Sequence, residues 1–111
     1  MNGLLEQGIF FFNAGQYFEA HEAWEDLWRA DEGPLRLFYQ GLVQAAAGFH
    51  HLTRQNPVGG RNQISKSLAK LDQFPPGTSG IDLEQFRRDL RKVLDHMDLH
   101  PLPVVRIVLH S

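Results

Sequence analysis

The chain has no cysteine in its 111 residues, which excludes both a disulfide framework and thiolate metal ligation. It also lacks a long apolar run. Ile9-Phe10-Phe11-Phe12 is too short for a membrane span or for the core of a signal peptide, and no basic segment precedes it. The expectation is a cytoplasmic protein with no membrane partner. There is no glycine-rich phosphate loop, because Gly59-Gly60 is not followed by Lys-Ser/Thr. No Ser-His-Asp order suggests itself, and the Glu-x-x-His pairs of di-iron helical bundles are absent. Net charge is only -2, so the molecule as a whole is not built to coat nucleic acid or an anionic surface.

What is present is a hydrophobic content of 42%, enough for one compact domain with a real core. The charge is unevenly spread. Residues 1–32 hold seven acids and one arginine, net -6, whereas residues 33–111 are net +4. Negative potential therefore gathers in the first third, where it favours a cation over an anion.

Apolar spacing predicts an all-α fold: a compact bundle of about five helices, arranged as antiparallel hairpins, with an extended C-terminal tail. The first helix runs from a cap at Asn2 to about Asn13, although Phe10 to Phe12 would also suit a short buried strand. Gly15 supplies the turn into a second helix over about 16–30. A third, long and apolar, spans about 34–55, opened by Pro34 and ended by Gln55-Asn56-Pro57. Val58-Gly59-Gly60 reads as a flexible lead into a fourth helix over about 60–73, and residues 74–80 as a loop. Asp82 caps a fifth helix over about 83–99, and Pro101 and Pro103 force the tail to be extended. Val104 to Leu109 is apolar enough to pack on the bundle.

The chemistry concentrates in Gly15 to Arg29, GQYFEAHEAWEDLWR. On a helix, Tyr17, Ala20, Trp24, Leu27 and Trp28 form an apolar stripe, and His21 interrupts it with Glu25 one turn along. Burying an imidazole and a carboxylate without partners costs several kcal/mol, so the pair needs a function or a network. His21-Glu22-Ala23-Trp24-Glu25 reads H-E-x-x-E, one ligand away from the zincin H-E-x-x-H. In that reading His21, Glu25 and His51 bind a divalent metal (Zn, Mn, Fe or Ni), and Glu22 is the base although it points about a quarter turn away. Gln40, Gln44 and Trp28 are then substrate-binding or supporting residues. The bland alternative is a closed polar network of the same side chains.

Other features read as structural. Side chains of His50 and His51 diverge by about 100°, so one of them, His51, is assigned to the site. His96 and His100 lie near a helix C-terminus, where the dipole favours them. Arg87, Arg88, Arg91 and Lys92 make a basic patch, but Glu84 and Asp95 are placed to pair with Arg88 and Arg91, so nucleic acid is not the expected partner.

Gly15-Gln16-Tyr17-Phe18-Glu19-Ala20 resembles the opening of the second helix in a tetratricopeptide hairpin. More specifically, residues 12–28, FNAGQYFEAHEAWEDLW, with Gln40-Gly41-Leu42-Val43-Gln44 and His50-His51-Leu52, resemble a small helical family of bacterial, archaeal and plastid proteins. That family is known as a domain of unknown function and is sometimes labelled a predicted metal-dependent hydrolase. The resemblance covers about residues 5–75 and implies an all-α fold in the helix order given above. Two functions follow as expectations: a metal-dependent hydrolase of a small-molecule substrate, or a non-enzymatic helical adaptor or homo-oligomer with a protein partner.

Overall fold

Helical periodicity punctuated by turn residues yields five α-helices in the computed structural model, which describes residues 3–97 and 103–110. These are α1 (Gly3–Asn13), α2 (Tyr17–Ala30), α3 (Arg36–Thr53), α4 (Pro57–Leu71) and α5 (Leu83–Asp95), with a 3₁₀ turn over Thr78–Gly80. The architecture is all-α, and Phe10 to Phe12 is helical. The expected cap at Asn2, the last residues assigned to the fifth helix, His100 and the start of the tail lie outside the described residues. No helix among those described is long and apolar enough to cross a membrane.

Gly15, at φ +78°, takes the left-handed conformation that ends α1 and turns the chain back. The return is fixed by Trp24. Its indole is fully buried and donates Nε1–H to the Leu5 carbonyl at 3.1 Å, one turn before Gly8. A Cβ on Gly8 would lie 2.0 Å from that nitrogen, so the indole rests directly on the α1 backbone. Beside it the buried ring of Phe12 meets Tyr17, Phe49 and Phe86 edge-on, at centroid distances of 5.2, 5.4 and 5.6 Å. One ring thus ties together four helices.

α3 lies between α2 and α4 and packs most extensively on α4. Gly41 and Gly48 face α4 rather than α2: the nearest atoms to their absent Cβ positions belong to Leu71 and Ile64. Ser67, wholly buried, donates to the Gly41 carbonyl at 2.6 Å across that contact. Small residues bring the backbones close, and the buried Ser67 hydroxyl is satisfied.

Several boundaries differ from the sequence reading. α3 starts at Arg36 and stops at Thr53, because Gln55 adopts φ +59° and the Asn56 N–H closes the end on the His51 carbonyl at 2.9 Å. α4 begins at Pro57, three residues early. Asn56 caps it by accepting from the Gly59 N–H at 3.1 Å, and Pro57 occupies the first turn. Gly59 and Gly60 are therefore helical, not a flexible lead. On α5, Arg91 reaches Asp72 at 2.7 and 2.8 Å rather than Asp95, and Arg87 donates to the Leu71 and Phe74 carbonyls, both at 2.8 Å. Two members of the basic patch, Arg87 and Arg91, thereby close the end of α4. His96 sits at the α5 C-terminus with Nδ1 2.8 Å from the Lys92 carbonyl, as its position predicts.

The tail packs on the bundle as expected. Val105 and Ile107 are buried, and the Asn13 side chain bonds both the N–H and the C=O of Ile107, at 2.7 and 2.9 Å. Leu109 forms an antiparallel bridge with Ile81.

Two substitutions test this description. Alanine at Gly8 gains about 1 kcal/mol of helix propensity but must displace a fixed indole. Overpacking and loss of the buried hydrogen bond outweigh that gain, so Gly8→Ala should lower stability by about 2 kcal/mol in denaturant unfolding. Gln55→Gly should raise stability by about 1 kcal/mol by relieving the left-handed residue, and an unchanged or lower denaturation midpoint would contradict the turn assigned here.

Candidate metal centre and the neighbouring recess

With Trp24 pinned against α1, the helical repeat decides where the polar residues of α2 go. His21 falls about 60° and Glu25 about 100° around the helix from Trp24, on the edge between core and solvent. Both are half-buried. His21 Nδ1 stands 3.3 Å from Glu22 Oε1 and 3.5 Å from Glu25 Oε2. Glu22, expected to turn away, thus folds back onto the imidazole. The other oxygen of Glu25 is held by Arg29, at 2.5 Å and one turn on. This clamp leaves Oε2 directed at His21.

Ligand atoms of His21, Glu22 and Glu25 all lie within 4.8 Å of one another. In a tetrahedral site with bonds of about 2.1 Å, neighbouring ligand atoms are about 3.4 Å apart. The two distances from His21 match that edge. A nitrogen with two carboxylate oxygens is also a donor set suited to Zn, Mn, Fe or Ni. The carboxylate–arginine contact is the kind of outer support that orients metal ligands.

His51 is not part of this trio. It lines a recess of about 190 Å³ between α2 and α3, together with Phe18, His21, Ala47 and His50. Both neighbouring histidines border it, contrary to the assignment of His51 alone. Ala47 lies midway between them on the helical wheel, and its small side chain leaves the floor open to both flanks. His50 also packs on Phe18, at a centroid distance of 5.7 Å. His51 Nδ1 is 3.2 Å from Asn56 Nδ2.

Gln40 and Gln44 are half-buried on α3, and Gln44 Oε1 is out of reach of solvent with no hydrogen-bond partner. Such an acceptor has room in its bonding for a donor from a ligand or ordered water. Trp28 is half-buried with the Arg36 guanidinium 4.6 Å above its ring, a cation–π contact near the end of α2. A second groove, of about 220 Å³, is lined by Tyr17, Phe49, Leu52, Thr53, Pro103 and Val104. Burial pushes the Tyr17 phenol above its ordinary range, so it remains a neutral hydroxyl beside that groove.

Residues 5–63 match the family described as a domain of unknown function, DUF309. The chain belongs to that family. The matched span takes in α1 to α3 and the start of α4, and hence the His/Glu trio, the recess and Asn56. Two relatives extend the likeness. An uncharacterised protein of Aquifex aeolicus (strain VF5) is 28% identical over 109 residues, covering 97% of this chain and 33% of that protein. The uncharacterised protein YpuF of Bacillus subtilis (strain 168) is 32% identical over 78 residues, covering 69% of this chain and 45% of its own length. This DUF309 chain therefore spans a third to just under half of the length of these curated relatives.

Asn56, His50, Phe18 and Arg29 were not assigned to the site from sequence. Arg29 was readable from its i+4 spacing to Glu25. The Asn-Pro pair was readable as a helix start, which would have placed Asn56 one turn from His51.

Proposed function

We propose that this protein is a metal-dependent hydrolase of a small substrate, with a divalent cation held by His21, Glu22 and Glu25. The convergence of one imidazole and two carboxylate oxygens at coordination-edge distances supports the reading. When bound, a divalent ion supplies Lewis acidity and makes water nucleophilic at neutral pH. The protein's own groups do the rest. Arg29 holds Glu25 in the orientation that offers Oε2. Glu22, the most exposed of the three, has its second oxygen free to accept a proton from water. The recess beside His21 admits the substrate, and Phe18 and Ala47 exclude water from part of its wall.

Untagged protein should take up one equivalent of zinc or manganese in calorimetry and gain thermal stability with added metal. His21→Ala and Glu25→Gln should each weaken uptake at least about tenfold while retaining helical circular dichroism. Stoichiometric uptake that survives both substitutions, or no uptake by the native chain, would remove this reading.

A second reading, a non-enzymatic adaptor or homo-oligomer, is favoured by exposed apolar residues at the recess and at the second groove: Phe18 is 54% and Val104 85% exposed. Sedimentation equilibrium of the native chain and of Phe18→Asp/Val104→Asp separates the two. A monomer throughout leaves self-association without support, whereas a dimer abolished by the charges would establish it.

A further inference from the structure

The orientation of the Asn56 amide is decided by the helix it caps. Its Oδ1 accepts the Gly59 N–H at 3.1 Å, so the NH₂ end is the group that faces His51. The reversed amide would set two N–H donors against each other. Nδ2 stands 3.2 Å from His51 Nδ1 and has only protons to offer. His51 Nδ1 must therefore accept, and the ring's own proton resides on Nε2. The arrangement is held from several sides. The Asn56 N–H bonds the His51 carbonyl at 2.9 Å, and the turn between them passes through the left-handed Gln55. A Cβ on Gly59 would lie 2.6 Å from Asn56 Nδ2 and 3.1 Å from His51 Cγ, so glycine at this position makes room for the pair.

We propose that Asn56 locks His51 as an Nε2–H donor on the wall of the recess, where it recognises an oxygen acceptor of the substrate. The inference rests on the hydrolase reading for the identity of the recess as a substrate site, and it narrows the substrate class. A molecule bearing a carboxylate, carbonyl or phosphoryl oxygen fits a wall that offers N–H. Metal ligation needs an imidazole lone pair, which His51 in this tautomer does not present: Nδ1 is already engaged by Asn56 and Nε2 carries the proton. This accounts for the separation of His51 from the His21, Glu22 and Glu25 trio. Asn56 is a positioning residue in this scheme, and its effect passes through the imidazole.

Long-range proton–nitrogen spectra of the full-length, nitrogen-15-labelled protein read the tautomer directly and need no metal. His51 should show the Nε2–H pattern in the native chain. In Asn56→Asp the carboxylate still caps Gly59 but offers only acceptors, so a proton should appear on Nδ1 of His51 while the pattern of His50 stays the same. An Nδ1–H pattern in the native chain, or no change in the variant, overturns the lock. Inorganic phosphate and acetate, titrated separately, then probe recognition. Asn56→Ser keeps a neutral helix cap without the NH₂ group, and it should bind the preferred probe about tenfold more weakly with zinc uptake unchanged. Binding of phosphate alone points to a phosphoryl substrate, and of acetate alone to a carboxylate. Equal affinity in native and Asn56→Ser protein, or binding of neither probe, overturns the recognition. Loss of zinc uptake in the native chain with the Nε2–H pattern and probe binding intact would fell the metal reading and leave this one standing.

Discussion

The contact on which the rest depends is the Trp24 indole lying on the backbone of α1 at Gly8. It is a large buried ring with its single polar atom bonded to the Leu5 carbonyl, so it can neither slide nor rotate without losing both packing and a hydrogen bond. Because α2 turns about 100° per residue, pinning Trp24 sets the direction of every other side chain on that helix. Leu27 and Ala20 go to the core, and His21 and Glu25 go to its rim. An imidazole at the rim keeps company with solvent and with carboxylates at once. That is the environment in which either a proton or a cation can sit between them.

α3 supplies the opposite wall, and its residue sizes divide the helix into two jobs. Gly41 and Gly48 are spent on close approach to α4, where a Cβ would strike Leu71 or Ile64. Ala47, a third of a turn away from Gly48, leaves the recess beside His21. Small residues on α3 with glutamines and histidines beside them do not by themselves say which neighbour they meet. Only the packing of α4 decides that, and it draws the glycines away from α2.

The same distinction explains what could be read in advance. The helix count, the turn at Gly15, the His21–Glu25 pairing and the docking of Val105 and Ile107 all follow from local spacing or from apolar content, and all were legible. The misread boundaries come from competing local signals. Gly59-Gly60 suggested flexibility, yet the cap and proline just before them outweighed about 1 kcal/mol of glycine cost per residue, and tight packing against Gly48 used the missing side chains. The partners of Arg87 and Arg91 were missed because they lie across a loop of unknown path. A salt bridge within α5 was the only one that spacing could propose. Both histidines bordering one recess was likewise beyond a wheel, since a recess centred between two directions is reached from each.

Chemically, the recess has two unlike sides. On α2, His21 borders it with the Glu22 and Glu25 carboxylates beside the imidazole, in the third of the chain that carries net -6. On α3, His51 borders it with Nδ1 3.2 Å from Asn56 Nδ2, the contact that the proposed Nε2–H tautomer rests on. In the proposed reading, a cation on the α2 side and an N–H on the α3 side would suit a polarised bond better than an apolar ligand. The polar network is closed in part, since His21 pairs with both Glu22 and Glu25. Glu25 is held as well by Arg29, His51 meets Asn56, and Gln44 keeps an unpartnered oxygen. Arg29 and Asn56 thus each fix one side chain, Glu25 on α2 and His51 on α3, and the proposed site would draw on that positioning.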